Sequence, residues 1–253
     1  MHDQLQLFLC LIVSIMKKII LSIFVIFNSV TSQASNDPTG GWMMYFGNAT
    51  FNNTKLKASY DVQLRNHELV SDLNQLLIRG SLQYPIASNL TLGAGYAHVL
   101  TEKMNEPDVP FNENRIYQDV LTQQNVGKSS VLKHRFRFEQ RFIENQDFKS
   151  RIRYQLGVDV PFYKNEGKQT SAYATAYNEI FMNLDESSRK HNPFDRNRLF
   201  LGAGYKFNND LGVQFGWMNQ MLQKQSYRKK TKNTRKYNEP KRKICSQSKI
   251  ELF

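Results

Sequence analysis

Cysteine is nearly absent from this chain. Its two cysteines, Cys10 and Cys245, lie outside the long central part, which excludes a disulfide framework or a cysteine-based metal site there. Beyond residue 34 no apolar run reaches the roughly 18 residues that a helical membrane span requires. Catalytic signatures are also missing: no Gly-x-Ser-x-Gly elbow, His-Glu-x-x-His pair or Walker loop occurs. Past residue 34 the histidines are His67, His98, His134 and His191. His98 falls near a strand end and His134 in an apolar register, so neither is set beside a serine. A Ser–His lipid hydrolase assembled across strands, with Ser59 or Ser81 as nucleophile, is the one enzymatic alternative. The expectation is otherwise no enzyme, no cofactor and no metal.

Excess charge is scarce in the body of the chain. Of the formal net charge of +12, residues 221–253 carry +9, from eleven Lys or Arg against two Glu. A nucleic-acid partner would rest on that tail alone and is not expected. The tail is expected to be disordered, and its abrupt Lys/Arg/Asn/Ser composition reads as a frameshifted gene end, the alternative being a genuine basic appendage.

What is present begins with an address. Met16-Lys17-Lys18, the apolar run 19–27 and the small-x-small motif Ser32-Gln33-Ala34 form a secretory signal. Residues 1–34 are thus expected to be a signal peptide, cleaved after Ala34, with the true start near Met16 and residues 1–15 a spurious extension. One membrane helix through both apolar runs would place Lys17 and Lys18 at its centre, at about 2.5–3.5 kcal/mol each.

From 35 to 220 apolar and polar residues alternate with period two, the signature of strands. In residues 55–65, Leu56, Ala58, Tyr60, Val62 and Leu64 oppose Lys55, Lys57, Ser59, Asp61, Gln63 and Arg65. In residues 151–160, Ile152, Tyr154, Leu156, Val158 and Val160 oppose Arg151, Arg153, Gln155, Gly157 and Asp159. Such runs exceed ordinary soluble strands of about 5–6 residues and match the 9–11 of a tilted membrane strand. Short polar turns separate them, as at Asn52-Asn53 and residues 144–147. Nine strands are read, near 42–50, 55–65, 73–84, 90–100, 130–143, 148–160, 171–184, 196–207 and 211–219. The Pro107- and Pro110-containing segment 101–128 reads as a long surface loop. Membrane barrels have even strand numbers, so a closing strand is expected to be missing after residue 220.

Several motifs, in order along the chain, carry a resemblance. They are Trp42; Arg79-Gly80-x-x-x-Tyr84; Leu92-Gly93-x-Gly95-Tyr96; Arg137-x-Glu139-Gln140-Arg141-Phe142; Arg151-x-Arg153-Tyr154; Tyr177-Asn178-Glu179-x-Phe181; Asn197-Arg198-Leu199-Phe200-Leu201-Gly202-x-Gly204-Tyr205; and Gly216-Trp217-Met218-Asn219-Gln220. Over residues 40–220 the chain resembles an uncharacterised family of predicted outer-membrane barrels, domain of unknown function 2490. The resemblance implies a membrane barrel and supplies no activity.

The expected fold is therefore all-β, an antiparallel up-and-down transmembrane barrel of about 8–10 strands in the outer membrane. Its partners would be outer-membrane lipid and, during biogenesis, the barrel-assembly machinery. With apolar sides on lipid, the opposite sides share a lumen. The expected charge network there comprises Asp61, Arg65, Arg79, Arg135, Arg137, Glu139, Arg151, Arg153, Asp159, Glu179 and Arg198, with Lys55, Lys57, Lys133, Arg141 and Lys206 on the same face. Glu179 is the carboxylate expected to meet several arginines. Such a lumen is either a structural plug or a narrow path favouring anions. Trp42, Tyr45, Tyr84, Tyr96, Tyr154, Tyr163, Tyr173, Tyr205 and Trp217 suit interfacial girdles. A soluble secreted or periplasmic β-sandwich that binds a ligand is the alternative.

Overall fold

The computed structural model of the protein describes residues 40–102, 109–127, 129–165, 170–186, 192–224 and 243–252. The signal peptide, its cleavage site and Met16 lie outside these residues.

Strong alternation makes strands. They are β1 (Gly40–Thr50), β2 (Lys57–Asn66), β3 (Leu73–Ala87), β4 (Leu90–Thr101), β5 (Phe111–Val126), β6 (Ser130–Ile143), β7 (Lys149–Asn165), β8 (Thr170–Asn183), β9 (Phe194–Lys206), β10 (Gly212–Lys224) and β11 (Lys243–Leu252). Residues in the left-handed region tighten several connections: Asn53, Asp72, Asn145 and Gly127, at φ 62, 58, 56 and 65°. Asn and Asp tolerate that region because their short polar side chains bond locally.

The first ten strands form an antiparallel meander, each paired with its sequence neighbours, and curl through 271°. Two expectations are corrected. The segment 101–128 is not one long loop, because β5 occupies residues 111–126 and pairs along its length with both β4 and β6. The count to Lys224 is therefore ten, and the parity argument for a strand lost after residue 220 falls away. Where a disordered tail is expected, pairing continues to Lys224 and resumes in β11. This strand runs antiparallel to β10 over ten residue pairs and parallel to β1 over four, residues 40–43 with 249–252. In up-and-down order an odd last strand must run parallel to the first, so the parallel seam follows from the count.

With β5 in place, the end holding Gly40 and Lys224 carries the two longest connections of β1–β10, Thr101 to Phe111 and Asn183 to Phe194. The other connections of β1–β10, from the two residues between Ala87 and Leu90 to the six between Thr50 and Lys57, lie at both ends.

Burial is inverted relative to a water-soluble core. Among the described residues nine apolar side chains are buried, against fourteen polar ones, eleven of them charged. The exposed side carries Tyr60, Val62, Leu64, Ile78, Leu82, Ile152, Leu156, Leu201 and Phe215, among others. A sandwich would hide these sides against a second sheet; here they line the outside of a single curled one.

The inner apolar cluster is small: Trp42, Phe200 and Met218, with Met44 and Tyr177 against it. Phe200 fits because Gly216 and Gly202 face it; a Cβ on either would approach the ring to 2.3 and 2.7 Å.

Candidate functional site

The network is built by register. Strands in this sheet present alternate residues inward, so each pairing sets charges side by side. Asp61 stands opposite Arg79, Asp119 opposite Arg137, Glu139 opposite Arg151, and Glu179 opposite Arg198. Each registered pair is an ion pair, at 2.6, 2.7, 2.5 and 3.9 Å respectively.

Three acids act as hubs. Glu179 receives Arg153 at 2.6 Å, Arg135 at 2.7 Å and Arg198 at 3.9 Å. Glu139 receives Arg151 through Oε2 and Arg153 through Oε1, at 2.5 and 2.6 Å, with Arg137 at 4.0 Å. Glu113 is clasped by Arg115 and Arg141, each using two nitrogens, at 2.5–3.0 Å. Arg137 grips Asp119 with two bonds of 2.7 Å. Such forked bonds are the stronger kind of charged hydrogen bond because both oxygens and both nitrogens align. Arg151 extends the chain to Asp195 at 3.1 Å, which also meets Arg196 at 2.8 Å. A side branch runs through amides. Arg65 donates to Gln63 Oε1 at 2.6 Å, and Gln63 donates to Asp61 at 2.8 Å.

Aromatic rings separate the guanidinium groups. Phe181, 1% exposed, lies under Arg153, Arg198, Arg151 and Arg196 at 4.5–5.7 Å. Trp42 lies under Arg65 at 4.0 Å and Arg198 at 5.1 Å. Ring faces are electron-rich and favour cations, which eases the crowding of like charges. Trp42 therefore points inward, as does Tyr173, whose hydroxyl donates to Gln214; neither belongs to an outer girdle.

Of the expected residues, Asp61, Arg65, Arg79, Arg135, Arg137, Glu139, Arg151, Arg153, Glu179 and Arg198 are brought together in this way. Asp159 stands apart, a quarter exposed, with Lys133 and Thr175 as partners. Lys57 is exposed, and Lys55 precedes β2. Glu113, Arg115 and Asp119 were hidden in the supposed loop, and Asp195 and Arg196 lay at the start of β9. The usable signal for β5 was charge of alternating sign at every second position, Glu113, Arg115 and Asp119 around Tyr117. In the described network ten arginines face six carboxylates.

The hydrolase arrangement is not assembled among the described residues. Ser59 and Ser81 bond each other at 2.7 Å, and Gln83 donates to Ser59. His67 meets Asn74, His98 meets Asn114, and His134 meets Tyr154 and Gln124. His191 lies outside the described residues. No cluster of His, Cys, Asp and Glu suited to a metal ion occurs among the described residues, and no described helix is long and apolar enough to cross a membrane.

Residues 39–231 match the family model described as "Protein of unknown function (DUF2490)". An uncharacterized protein of Methylorubrum extorquens is 27% identical over 200 residues, which are 77% of this chain and 85% of that protein. No solved structure matches.

Proposed function

The chain belongs to the DUF2490 family of proteins of unknown function, and from that premise we propose that it is a closed transmembrane β-barrel of the bacterial outer membrane, with a structural role. The observation that carries this reading is the inverted burial: apolar sides outward, a paired charge network inward. In water an apolar exterior of this extent is a liability; against lipid it is the stable arrangement. The dimensions agree. The outward apolar positions of β3 run from Leu76 to Ile86, ten steps of about 3.3 Å, or roughly 33 Å. At the usual barrel tilt of about 40° that is roughly 25 Å, the height of the apolar band in such barrels. Strands β1 to β10 return the meander to the side on which it started, while β11, which joins β10 to β1, runs on to the other side. With the Gly40 end on the periplasm, the two longest connections of β1–β10 face the periplasm, the reverse of the usual porin arrangement.

The expected result is a heat-modifiable band. Outer-membrane fractions run unboiled should show a faster-migrating form that shifts on boiling. A soluble, unshifted protein would overturn the membrane reading and favour a secreted β-protein.

A second reading is favoured by one observation, the excess of ten arginines over six carboxylates inside. Rings of fixed cations select anions, so a residual path through the network would favour them. Single-channel recordings of the refolded protein are expected to give small, anion-preferring steps. Cation preference or a silent bilayer would dismiss the path and leave the structural plug.

A further inference from the structure

The inward network is not evenly satisfied. Arg151 and Arg153 each donate from all three guanidinium nitrogens. Three other arginines hold donors in reserve among the described residues. Arg79 donates only through Nε, to Asp61 at 2.6 Å, so both of its terminal nitrogens are unused. Arg135 donates only through Nη2, to Glu179 at 2.7 Å, and its buried Nε has no partner. Arg137 spends Nε and Nη2 on Asp119, while its buried Nη1, 4.0 Å from Glu139, makes no hydrogen bond. A guanidinium carries five N–H donors, and a buried donor left unpaired is costly.

These three side chains share one stretch of the lumen. Arg135 and Arg137 are successive inward residues of β6. Arg137 lies over the Tyr117 ring at 4.0 Å, and the Tyr117 hydroxyl donates at 3.2 Å to the carbonyl of Gly80, the residue after Arg79. One ring therefore links the two sites across β3 to β6. At this spacing Arg135 is repelled by Arg137 and Arg79, and Arg79 by Arg137. Water reaches the same stretch from the end opposite Gly40. Along the inward side of β6, side-chain exposure rises from 5% at Arg137 to 24% at Arg135 and 53% at Lys133. Toward that end the inward positions of β3, β4 and β7 include Ser81, Gly93 and Gly157, which are small.

We infer that Arg79, Arg135 and Arg137 form a binding site for a phosphate-type oxyanion, entered from the end opposite Gly40. Each guanidinium is a planar fork that matches phosphate oxygens two at a time. A tetrahedral dianion offers oxygens to forks on several sides, and it balances the charge left over where Glu179 is divided among three arginines. A carboxylate offers one plane and a single charge. Lys133, solvated beside Asp159, draws the anion in without holding it. The inference rests on the anion reading above, in its premise that arginine is in excess inside.

The test is calorimetric titration of the full chain, refolded in neutral maltoside micelles, with inorganic phosphate at constant ionic strength. Saturable one-to-one binding is expected. Arg135→Gln and Arg79→Lys should each weaken it by about tenfold or more, as loss of a charged, forked contact would. Arg79→Lys keeps a cation beside Asp61, and the heat shift of each variant verifies its fold. Lys149→Gln removes one charge at the Gly40 end of β7, where Lys149 donates to Gln146, and should change binding less than about twofold, because the charge lost is remote and solvated. Glycerol phosphate in the same titration identifies the source. Binding of inorganic phosphate alone assigns the site to the free ion, and equal or tighter binding of glycerol phosphate assigns it to a phosphomonoester. No saturable binding, equal weakening by Lys149→Gln and Arg135→Gln, or equal affinity for chloride would overturn the site. Single-channel recordings separate this failure from that of the anion path. Anion-preferring steps without phosphate binding lose only the site; phosphate binding with a silent bilayer loses only the path.

Discussion

Glu179→Ala is expected to destabilise the folded protein by about 3–5 kcal/mol, the penalty for stranding buried charge. The carboxylate is 2% exposed and holds Arg135, Arg153 and Arg198 together. Its removal leaves three guanidinium groups without their shared acid, Arg153 and Arg198 over Phe181 among them, with only Arg153 keeping a second acid, Glu139. Glu179→Gln should lose nearly as much, because an amide restores one acceptor but none of the charge. Asp159→Asn is the internal control. Its partner Lys133 is 53% exposed on the side chain and Asp159 26%, so solvent already screens the pair and the loss should stay under about 1 kcal/mol. Urea titrations of the three variants, refolded in the same vesicles, read these differences directly. Equal midpoints for Glu179→Ala and Asp159→Asn would mean that the interior is wet and the network is not structural.

The contrast between these acids shows what was legible in the chain. Which side of a strand each charge takes follows from period two alone, as with Arg151 and Arg153 against Ile152 and Tyr154, and the structure keeps that division. Which charges meet does not follow, because partnership depends on hairpin offset, and a slip of one residue would turn each side chain to the other face. Asp159 and Glu179 share a parity, yet one sits near an open mouth and the other in the buried network. The strand β5 was illegible for a different reason. Its outward positions Asn112, Asn114 and Gln118 are polar, so hydrophobicity does not alternate over its first half, and Pro107 and Pro110 just upstream suggest a loop. In β1 the opposite problem hides the facing of Trp42: Trp42, Met44 and Phe46 on one side and Met43 and Tyr45 on the other are all apolar. In β8 outward Ala172, Ala174 and Ala176 are small while inward Tyr173 and Tyr177 are large. There the bigger residues fill the interior, and a search for girdles among tyrosines misplaces Tyr173.

Leu82→Arg separates the two environments that could surround the apolar exterior. Leu82 lies near the middle of the outward stripe of β3, between Ala58 and Ala94 of the neighbouring strands, and is 51% exposed. On a water-facing surface such a position tolerates most side chains within about 0.5 kcal/mol, and a long charged residue over two alanines clashes with nothing. At the midplane of a bilayer an arginine on the lipid face is destabilising by about 2–4 kcal/mol, because its guanidinium must leave water or drag water in. The expected result is therefore a large loss of stability in lipid vesicles. The same substitution at Leu211, which is 59% exposed beside the β9–β10 hairpin, should have little effect, since that position lies at the rim where the penalty falls to about 0–1 kcal/mol. The difference between the two sites, rather than either value, reports depth. A soluble protein has no depth, so equal and small effects at Leu82 and Leu211 would place water against both, and the apolar exterior would then need another protein surface to cover it.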